Sequence, residues 1–172
     1  MRNSAHQFIC AISCYREVAK EEKESTKMYI VERETFLRVL NDSQRVVVDA
    51  RKFRLFRGQF KATSNGVKMT LDEWRSVLDA AEAVRKAIKM EAVDDTDEAE
   101  TFIEVDSEDF LRLSVKMFKG MKYVHVRRYF RTEDDQLLPT RQGITLTGEG
   151  YESLVGRKDI IKGDIEAIQS LF

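Results

Sequence analysis

The stretch LRLSVKMFKGMKYVHVRRYFR, residues 111–131, indicates the fold of this chain. Apolar residues at every second position from Leu111 alternate with polar and basic ones, and the alternation resumes after Lys119-Gly120. A period of two with one apolar parity predicts a half-buried β-hairpin. The stretch carries seven basic residues and no acidic one. The solvent face of this hairpin is therefore predicted to present cations together with aromatic rings.

This combination of side chains has two interpretations. Single-stranded nucleic acid requires cations for its phosphates and flat rings on which its bases stack. The same composition also fits an ordinary solvated sheet face that is stabilised by cross-strand pairs. The pattern alone leaves both interpretations open.

Composition restricts the class of protein. The 172 residues are enough for one domain or two small ones, and a hydrophobic fraction of 42% is typical of a globular chain. No apolar run reaches the roughly 18–20 residues of a membrane span, so we predict a soluble protein without a membrane partner. Two cysteines, Cys10 and Cys14, indicate a reducing compartment.

Charge is segregated along the chain although the formal net charge is only −1. Residues 36–90 carry 12 basic and 6 acidic side chains, residues 91–109 carry none and 10, and residues 110–172 carry 11 and 8. The middle segment is predicted to be a solvated, extended linker. Its acidic run around Asp94, Asp95 and Asp97 lacks the glycine and the terminal glutamate of a calcium loop. A further hypothesis is that this linker occupies the basic surface as an autoinhibitor.

Residues 1–30 are predicted to form a loose or helical leader, with an organelle transit peptide as the alternative. His6, Cys10 and Cys14 are spaced by four and could line one helix face as metal ligands. Zinc requires a fourth ligand and closer spacing. We therefore predict no metal site and no cofactor.

Residues 31–90 are predicted to form strands followed by one helix. Strand-like runs cover residues 36–40 and 45–53, and Ser64-Asn65-Gly66 is predicted to be a turn in which Gly66 takes a positive φ. Thr70 and Glu73 have the spacing of a capping box. The helix after them has apolar residues at spacings of three and four, and we expect this stripe to pack on the preceding sheet.

The pattern then starts again. Arg127 lies 76 residues after Arg51, and Gly143 lies 77 residues after Gly66. Phe110-Leu111-Arg112-Leu113 echoes Phe36-Leu37-Arg38-Val39. These correspondences predict an internal duplication, in which each copy consists of strands followed by one helix.

The second copy resembles the positive cofactor four family of transcriptional coactivators through LSVKMFKG, KYVHVRRYF and LLPTRQGITLTGEGYESL. The domain of that family has four antiparallel strands and a helix, dimerises, and binds single-stranded DNA across its curved sheet. The first copy is similar through RVVVDARKF and GQFKATSNGVKMTLDEW. The resemblance implies an α+β fold with two tandem copies of a four-stranded antiparallel sheet followed by one helix. We assign the first repeat to residues 31–90, the acidic linker to residues 91–109 and the second repeat to residues 110–172.

The resemblance also implies DNA-binding residues. In the second copy the matching positions are Lys116, Phe118, Lys119, Arg127, Phe130 and Arg141, and Lys122 follows Met121, which stands where the family has a lysine. Phe130 replaces a tryptophan and has the opposite strand parity to Arg127, so a bulge or a strand end must re-aim it if both contact DNA. The proline-x-arginine-x-glycine segment that contains Arg141 is predicted to be a turn.

The first copy departs from the family pattern. Arg51 matches the strand arginine, but Arg54 stands at the ring position, Ser64 stands at the turn arginine, and the FKG turn is absent. We therefore expect phosphate contacts and no base stacking in this copy. The predicted phosphate-binding residues are Arg45, Arg51, Arg54, Arg57 and Lys61.

The duplication has a physical interpretation, because two tethered copies can form within one chain the pair that the family forms by dimerisation. We predict a monomeric pseudo-dimer with one strong and one weak DNA-binding half. The implied role is sequence-tolerant binding of single-stranded or melted DNA in the nucleus, as a transcriptional coactivator or regulator. Transcription factors or RNA polymerase components are further candidate partners.

Catalytic patterns are absent from the sequence. The two histidines, His6 and His125, have no convincing triad partner, and no phosphate-cradling glycine motif is present. We predict that the protein is not an enzyme, that His125 is an exposed polar contact and that Glu133-Asp134-Asp135 is a hairpin turn. Two alternatives remain open: a protein–protein interaction module of the transcription machinery that docks acidic segments, and an RNA-binding protein.

Overall fold

A computed structural model describes residues 27–43, 45–90, 100–103 and 110–171. The first half of the molecule contains β1 (Met28–Glu32), β2 (Thr35–Asp42), β3 (Arg45–Phe56), β4 (Gln59–Met69), α1 (Leu71–Asp79) and α2 (Ala81–Lys89). The second half contains β5 (Glu100–Ile103), β6 (Leu111–Phe118), β7 (Met121–Arg131), β8 (Leu137–Thr147), α3 (Gly148–Gly156) and α4 (Lys158–Gln169). Each half forms a four-stranded antiparallel sheet in chain order, which confirms the predicted fold class.

Strand pairing sets the correspondence between the two halves. Leu37 lies opposite Ala50, and Leu113 lies opposite Val126, so this strand repeats after 76 residues. The echo of residues 36–39 in residues 110–113 spaced the copies by 74 and is wrong by two residues. A shift of two keeps every side chain on the same face, so apolar alternation does not detect it.

Both sheets contain the same irregularity next to the duplicated arginine. Arg51 pairs with Gly66, but Phe53 pairs with Ala62, so β4 contributes two more residues than β3 across this step. β8 contributes two extra residues in the same way between its pairs with Arg127 and Tyr129. The turns predicted at 64–66 and 139–143 are therefore wrong, because both segments are bulged parts of continuous strands.

Gly66 is required for close approach and not for a positive φ. A Cβ at this position would lie 2.7 Å from Cγ of Arg51, and a Cβ at Gly143 would lie 2.9 Å from Cγ of Arg127. In each half the arginine side chain therefore crosses the adjacent strand at a residue that has no side chain.

The helices differ in number from the prediction and exchange sheets. The capping box is confirmed, since Thr70 Oγ1 accepts from the Glu73 amide at 3.2 Å and Glu73 Oε2 accepts from the Thr70 amide at 2.9 Å. Each predicted single helix is divided, at Ala80 and at Arg157. The first segments, α1 and α3, pack on the sheet of their own half, whereas α2 packs on β5 and β6 and α4 packs on β2 and β3. The expectation that the helix packs on the preceding sheet holds only for the first segment.

One hydrophobic core results from this exchange. The inward residues of both sheets and all four helices belong to a single buried cluster. Tyr151 is fully buried at the centre, and its hydroxyl donates to the Val77 carbonyl of the other half at 2.9 Å. Burial raises the pKa of this phenol, with Glu152 adding to the shift. The two halves are thus docked as an intramolecular pseudo-dimer.

The two helix N-termini at the junction are capped by different arrangements. Glu73, buried beside its own cap, accepts from Arg128 of the second half through Nη1 at 2.8 Å and Nη2 at 2.7 Å. At the other N-terminus the carboxylate comes from across the junction, because Glu32 accepts from the Thr147 amide at 3.2 Å and from the Thr147 hydroxyl at 2.6 Å.

Gly150 occupies the position that corresponds to Glu73 and makes room for this carboxylate. A Cβ at Gly150 would lie 2.2 Å from Glu32 Oε2. This glycine therefore has a packing role at the junction that outweighs the cost of glycine in a helix.

The segment boundaries differ from those predicted. β1 begins at Met28, inside the predicted leader, and β5 lies inside the predicted linker. The apolar run at 101–103 pairs with the edge of β6 despite the acidic residues that surround it. The possible metal ligands His6, Cys10 and Cys14 and the acidic residues Asp94, Asp95 and Asp97 lie outside the described residues.

Two searches of the described ranges gave no site. No helix among them is long and apolar enough to cross a membrane. No group of three or more histidine, cysteine or acidic side chains within the same ranges could hold a metal ion.

Candidate nucleic-acid interface

The outward face of the second sheet collects cations and rings. The hairpin between β6 and β7 turns at Lys119 and Gly120, whose φ angles are 50° and 74°, and residues that pair across it point to the same side. Opposite the helices, the pairs are Arg112 with Arg127, Ser114 with His125, and Lys116 with Tyr123. We call this surface the ring-and-cation face; it comprises Phe102, Arg112, Lys116, Phe118, Tyr123, His125, Arg127 and Tyr129.

One ring pair lies at the hairpin end of this face. The rings of Phe118 and Tyr123 meet edge to face, with centroids 6.5 Å apart and planes at 62°. Lys119 Nζ lies 5.3 Å from the Phe118 ring centroid, and Phe118 is 54% exposed. An exposed ring beside an ammonium group can stack on a base while the cation contacts the adjacent phosphate.

A second ring pair lies at the other end. Phe102 and Tyr129 have centroids 6.4 Å apart, and the Arg112 guanidinium lies 4.5 Å and 5.3 Å from the two centroids. Burial, reinforced by Glu100, raises the pKa of the Tyr129 phenol, which stays protonated at neutral pH. Sequence reasoning missed these three residues. Phe102 fell in the acidic linker, whereas the shared parity of Arg112, Arg127 and Tyr129 was a signal that could have found the other two.

His125 occupies the centre of the face. Its Nδ1 lies 3.1 Å from Thr145 Oγ1. Burial lowers the pKa of His125; Glu100 opposes this shift, and Arg127 and Lys116 add to it. The predicted exposed polar contact is therefore a half-buried ring that is neutral at pH 7.

Arg127 is fixed in position by the bulge of β8. Its Nη1 donates to the Thr140 carbonyl at 2.7 Å, and Thr140 Oγ1 donates to the Arg128 carbonyl at 2.9 Å. The guanidinium is thus held over β8 next to Gly143. Preorganisation of this kind lowers the entropy cost of a phosphate contact.

Other predicted residues of the second half lie elsewhere. Lys122 donates to the Ala87 carbonyl at 2.8 Å and to the Met90 carbonyl, so it caps the C-terminal end of α2 across the junction. Phe130 is exposed but keeps the parity opposite to Arg127, because the extra residues lie in β8 and not in β7. Arg141 is exposed within the bulge. The structure therefore brings Lys116, Phe118, Lys119 and Arg127 together and separates Lys122 and Phe130 from them.

The outward face of the first sheet has the opposite electrostatic design. Asp49 corresponds to His125 and is 0% exposed. It accepts from Arg38 Nε at 3.1 Å and from Arg51 Nη2 at 3.0 Å, and Arg51 Nη1 donates to the Thr63 carbonyl at 2.8 Å. The strand arginine of this half is thus committed to an internal carboxylate.

The rings of the first half are also packed internally. Phe36 and Phe53 are each 3% exposed, with ring centroids 5.2 Å apart, and the Arg38 guanidinium lies 5.3 Å from the Phe53 centroid. The remaining predicted phosphate-binding residues lie away from this cluster. Arg45 pairs with Asp42 at the start of β3, while Arg54, Arg57 and Lys61 surround the turn between β3 and β4.

Comparison with known proteins supports the resemblance in the second half. No curated protein sequence matches the chain. A family match covers residues 106–156 and does not extend to the first half, so the two tandem copies are not confirmed by it. The matched family is described as Transcriptional Coactivator p15 (PC4), and the second half of this chain therefore contains a domain of that coactivator family.

Proposed function

We propose that the protein binds single-stranded DNA, with little sequence preference, on its ring-and-cation face and acts in the nucleus as a transcriptional coactivator or regulator. The observation that carries the proposal is the placement of two ring pairs, Phe118–Tyr123 and Phe102–Tyr129, at opposite ends of one face. Arg112, Lys116 and Arg127 lie on the same face. Rings contribute about 1–3 kcal/mol for each stacked base, and cations supply a salt-dependent term without sequence preference.

Binding is assigned to the second half alone. In the first half Asp49 neutralises the matching arginine, and the rings that could stack are buried. A phosphate would have to displace a buried carboxylate from two guanidinium groups, which is costly because an unpaired buried charge is strongly destabilising. One molecule is therefore proposed to hold one strand.

The protein is proposed to act as a monomer. Each half supplies a helix to the sheet of the other, and their inward faces share one core. What a second copy would contribute to a dimer is already present within the chain. Light scattering at micromolar concentration should give the mass of one chain, about 20.0 kDa; a stable dimer would contradict this.

Fluorescence anisotropy with a labelled oligo-thymidine tests the main proposal. We expect the single strand to bind more tightly than a duplex of equal length, and log affinity to fall with log salt at about −0.7 for each contacted phosphate. Oligo-uridine of the same length tests the RNA alternative. Equal affinity for duplex and single strand, or no binding at low salt, would refute single-strand binding.

A second candidate function is supported by one contact. Glu100 of the acidic strand β5 lies opposite Lys116 and accepts from Ser114 Oγ at 2.6 Å on the same face. A module that docks acidic protein segments would use this arrangement. Such a module depends on Lys116 and Arg127 and is insensitive to loss of the Phe118 ring, whereas DNA binding needs both.

A further inference from the structure

The hairpin between β3 and β4 ends in an unusual tip. Strand pairing continues past the bulge to Phe56 and Gln59, and the chain reverses at Arg57 and Gly58 with φ angles of 49° and 79°. Two successive positive φ angles define a two-residue type I′ turn, which twists in the same sense as the strands. The pairing holds this tip in place, in contrast to a long irregular loop.

The tip presents an exposed ring among cations. Phe56 is 52% exposed, and its centroid lies 5.3 Å from the Arg57 guanidinium and 5.2 Å from Lys61 Nζ. Arg54 pairs with Lys61 in the register and therefore shares a face with Phe56. Leu55 is 60% exposed. We call residues 54–61 the basic tip.

Acidic groups are missing from this part of the sequence. Residues 50–71 contain six basic side chains and no acidic one; they are Arg51, Lys52, Arg54, Arg57, Lys61 and Lys68. The cations of the basic tip consequently have no carboxylate within their own hairpin. A large exposed apolar group surrounded by cations is costly for a free monomer and indicates a binding surface.

The corresponding hairpin of the second half has the opposite charge. Its turn contains Glu133, Asp134 and Asp135, and Arg131 pairs with Asp135. The predicted hairpin turn at this place is confirmed, with Asp135 at a φ of 63°. The basic tip is thus a property of this chain's first half and is not a consequence of the shared fold.

We infer that the basic tip is a second binding site for single-stranded nucleic acid, in which Phe56 stacks on an unpaired base and Arg54, Arg57 and Lys61 bind the flanking phosphates. The choice of ligand rests on the proposed function, but the site does not, because it shares no residue with the ring-and-cation face. A single strand would then contact the first half through the tip, and not through the sheet that Asp49 closes.

A tryptophan at the tip provides a local test. The chain has one tryptophan, Trp74, which is buried, so Phe56→Trp adds an exposed fluorophore at the proposed site. Unlabelled oligo-thymidine should quench the new emission with the same midpoint as binding followed by anisotropy. Binding without quenching would overturn the tip site while leaving the proposed function intact.

Substitutions give the second measurement. Phe56→Ala should weaken oligo-thymidine binding by about fivefold or more, from the loss of one stacked base. Arg57→Ala should reduce the salt slope by about 0.7, whereas Lys162→Ala, which removes an exposed cation from α4, should leave the slope unchanged. Equal effects of Arg57→Ala and Lys162→Ala would reduce the tip to general electrostatics and contradict the inference.

The failures of the two proposals are distinguishable. Phe118→Ala in the Phe56→Trp background removes a ring of the sheet site; quenching that persists there supports the tip and counts against the sheet. No binding and no quenching at low salt would overturn both. Quenching by a poly-glutamate peptide but not by oligo-thymidine would assign the tip to acidic protein segments and overturn the nucleic-acid inference.

Discussion

The two halves of this molecule share a fold and differ at one central position of the outward sheet. The first half has Asp49 there, buried between Arg38 and Arg51, whereas the second half has His125, next to Thr145. The same bulge holds the same arginine in both halves. One carboxylate therefore decides whether that arginine is an internal partner or part of a charged surface.

The largest expected effect concerns the junction on which both halves depend. Arg128→Ala leaves Glu73 buried without its bidentate partner across the junction, and removal of one partner of such a pair costs about 3–5 kcal/mol. Arg85→Ala, which breaks the exposed pair with Glu152, is the matched control and should change stability little. Urea unfolding followed by Trp74 fluorescence measures both. Equal losses for the two variants would refute the importance of the Glu73 pair.

The second prediction converts one half into the other. His125→Asp places a carboxylate where it can bind Arg127 as Asp49 binds Arg51. Since a hydrogen bond to a charged group is worth about 1.5–3 kcal/mol, oligo-thymidine affinity should fall by roughly ten- to a hundredfold. His125→Asn is the neutral control and should stay close to the parent protein. Unchanged affinity of the aspartate variant would show that Arg127 does not contact DNA.

Exposed and buried rings provide the third prediction. Phe118→Ala should cost about 1–3 kcal/mol in oligo-thymidine binding with little change in stability, because the ring is exposed. Met121 lies directly opposite Phe118 and is also exposed, so Met121→Ala controls for lost apolar surface. In the first half, Phe53→Ala should instead destabilise the fold, because that ring is buried. Calorimetry and anisotropy on the three variants separate the two outcomes.

The smallest effect is a pH dependence. Burial, Arg127 and Lys116 hold the pKa of His125 below its usual 6.5 despite Glu100, so the ring is neutral at pH 7. Bound phosphates favour the charged ring, so binding takes up a proton, and affinity should rise a few-fold as the pH falls below about 6.5. His125→Asn should remove this dependence. An equal rise in that variant would assign the effect to another group.

The same protonation has the opposite sign for folding. In the free protein the charged ring is disfavoured, so stability is retained above the unfolded-state pKa and is lost as the pH falls through the folded-state value. Tyr29 acts at the alkaline end. Burial and its hydrogen bond to Asp164 raise its pKa to about 12, and stability from this contact should decline as the pH rises above about 10.

Much of the second half could be predicted from its residues. The alternation in 111–131, the Lys119-Gly120 turn and the Thr70 capping box each follow from a local rule, and the structure contains all three. Lys122 and Phe130 were assigned to the DNA surface by position, although the parity of Phe130 already argued against a shared face with Arg127. Phe102 was overlooked because four strand residues do not outweigh an acidic context in composition.

The sequence by itself determined the α+β class, the duplication and the ring-rich hairpin, since these depend on periods and spacings within short segments. Only the tertiary structure decided which sheet each helix covers, that Glu32 completes the cap at Thr147 and that Asp49 neutralises Arg51. Those features depend on distances between residues far apart in the chain, or on strand register. A shift of two residues preserves the alternation pattern but changes every neighbour, so pairing had to be observed.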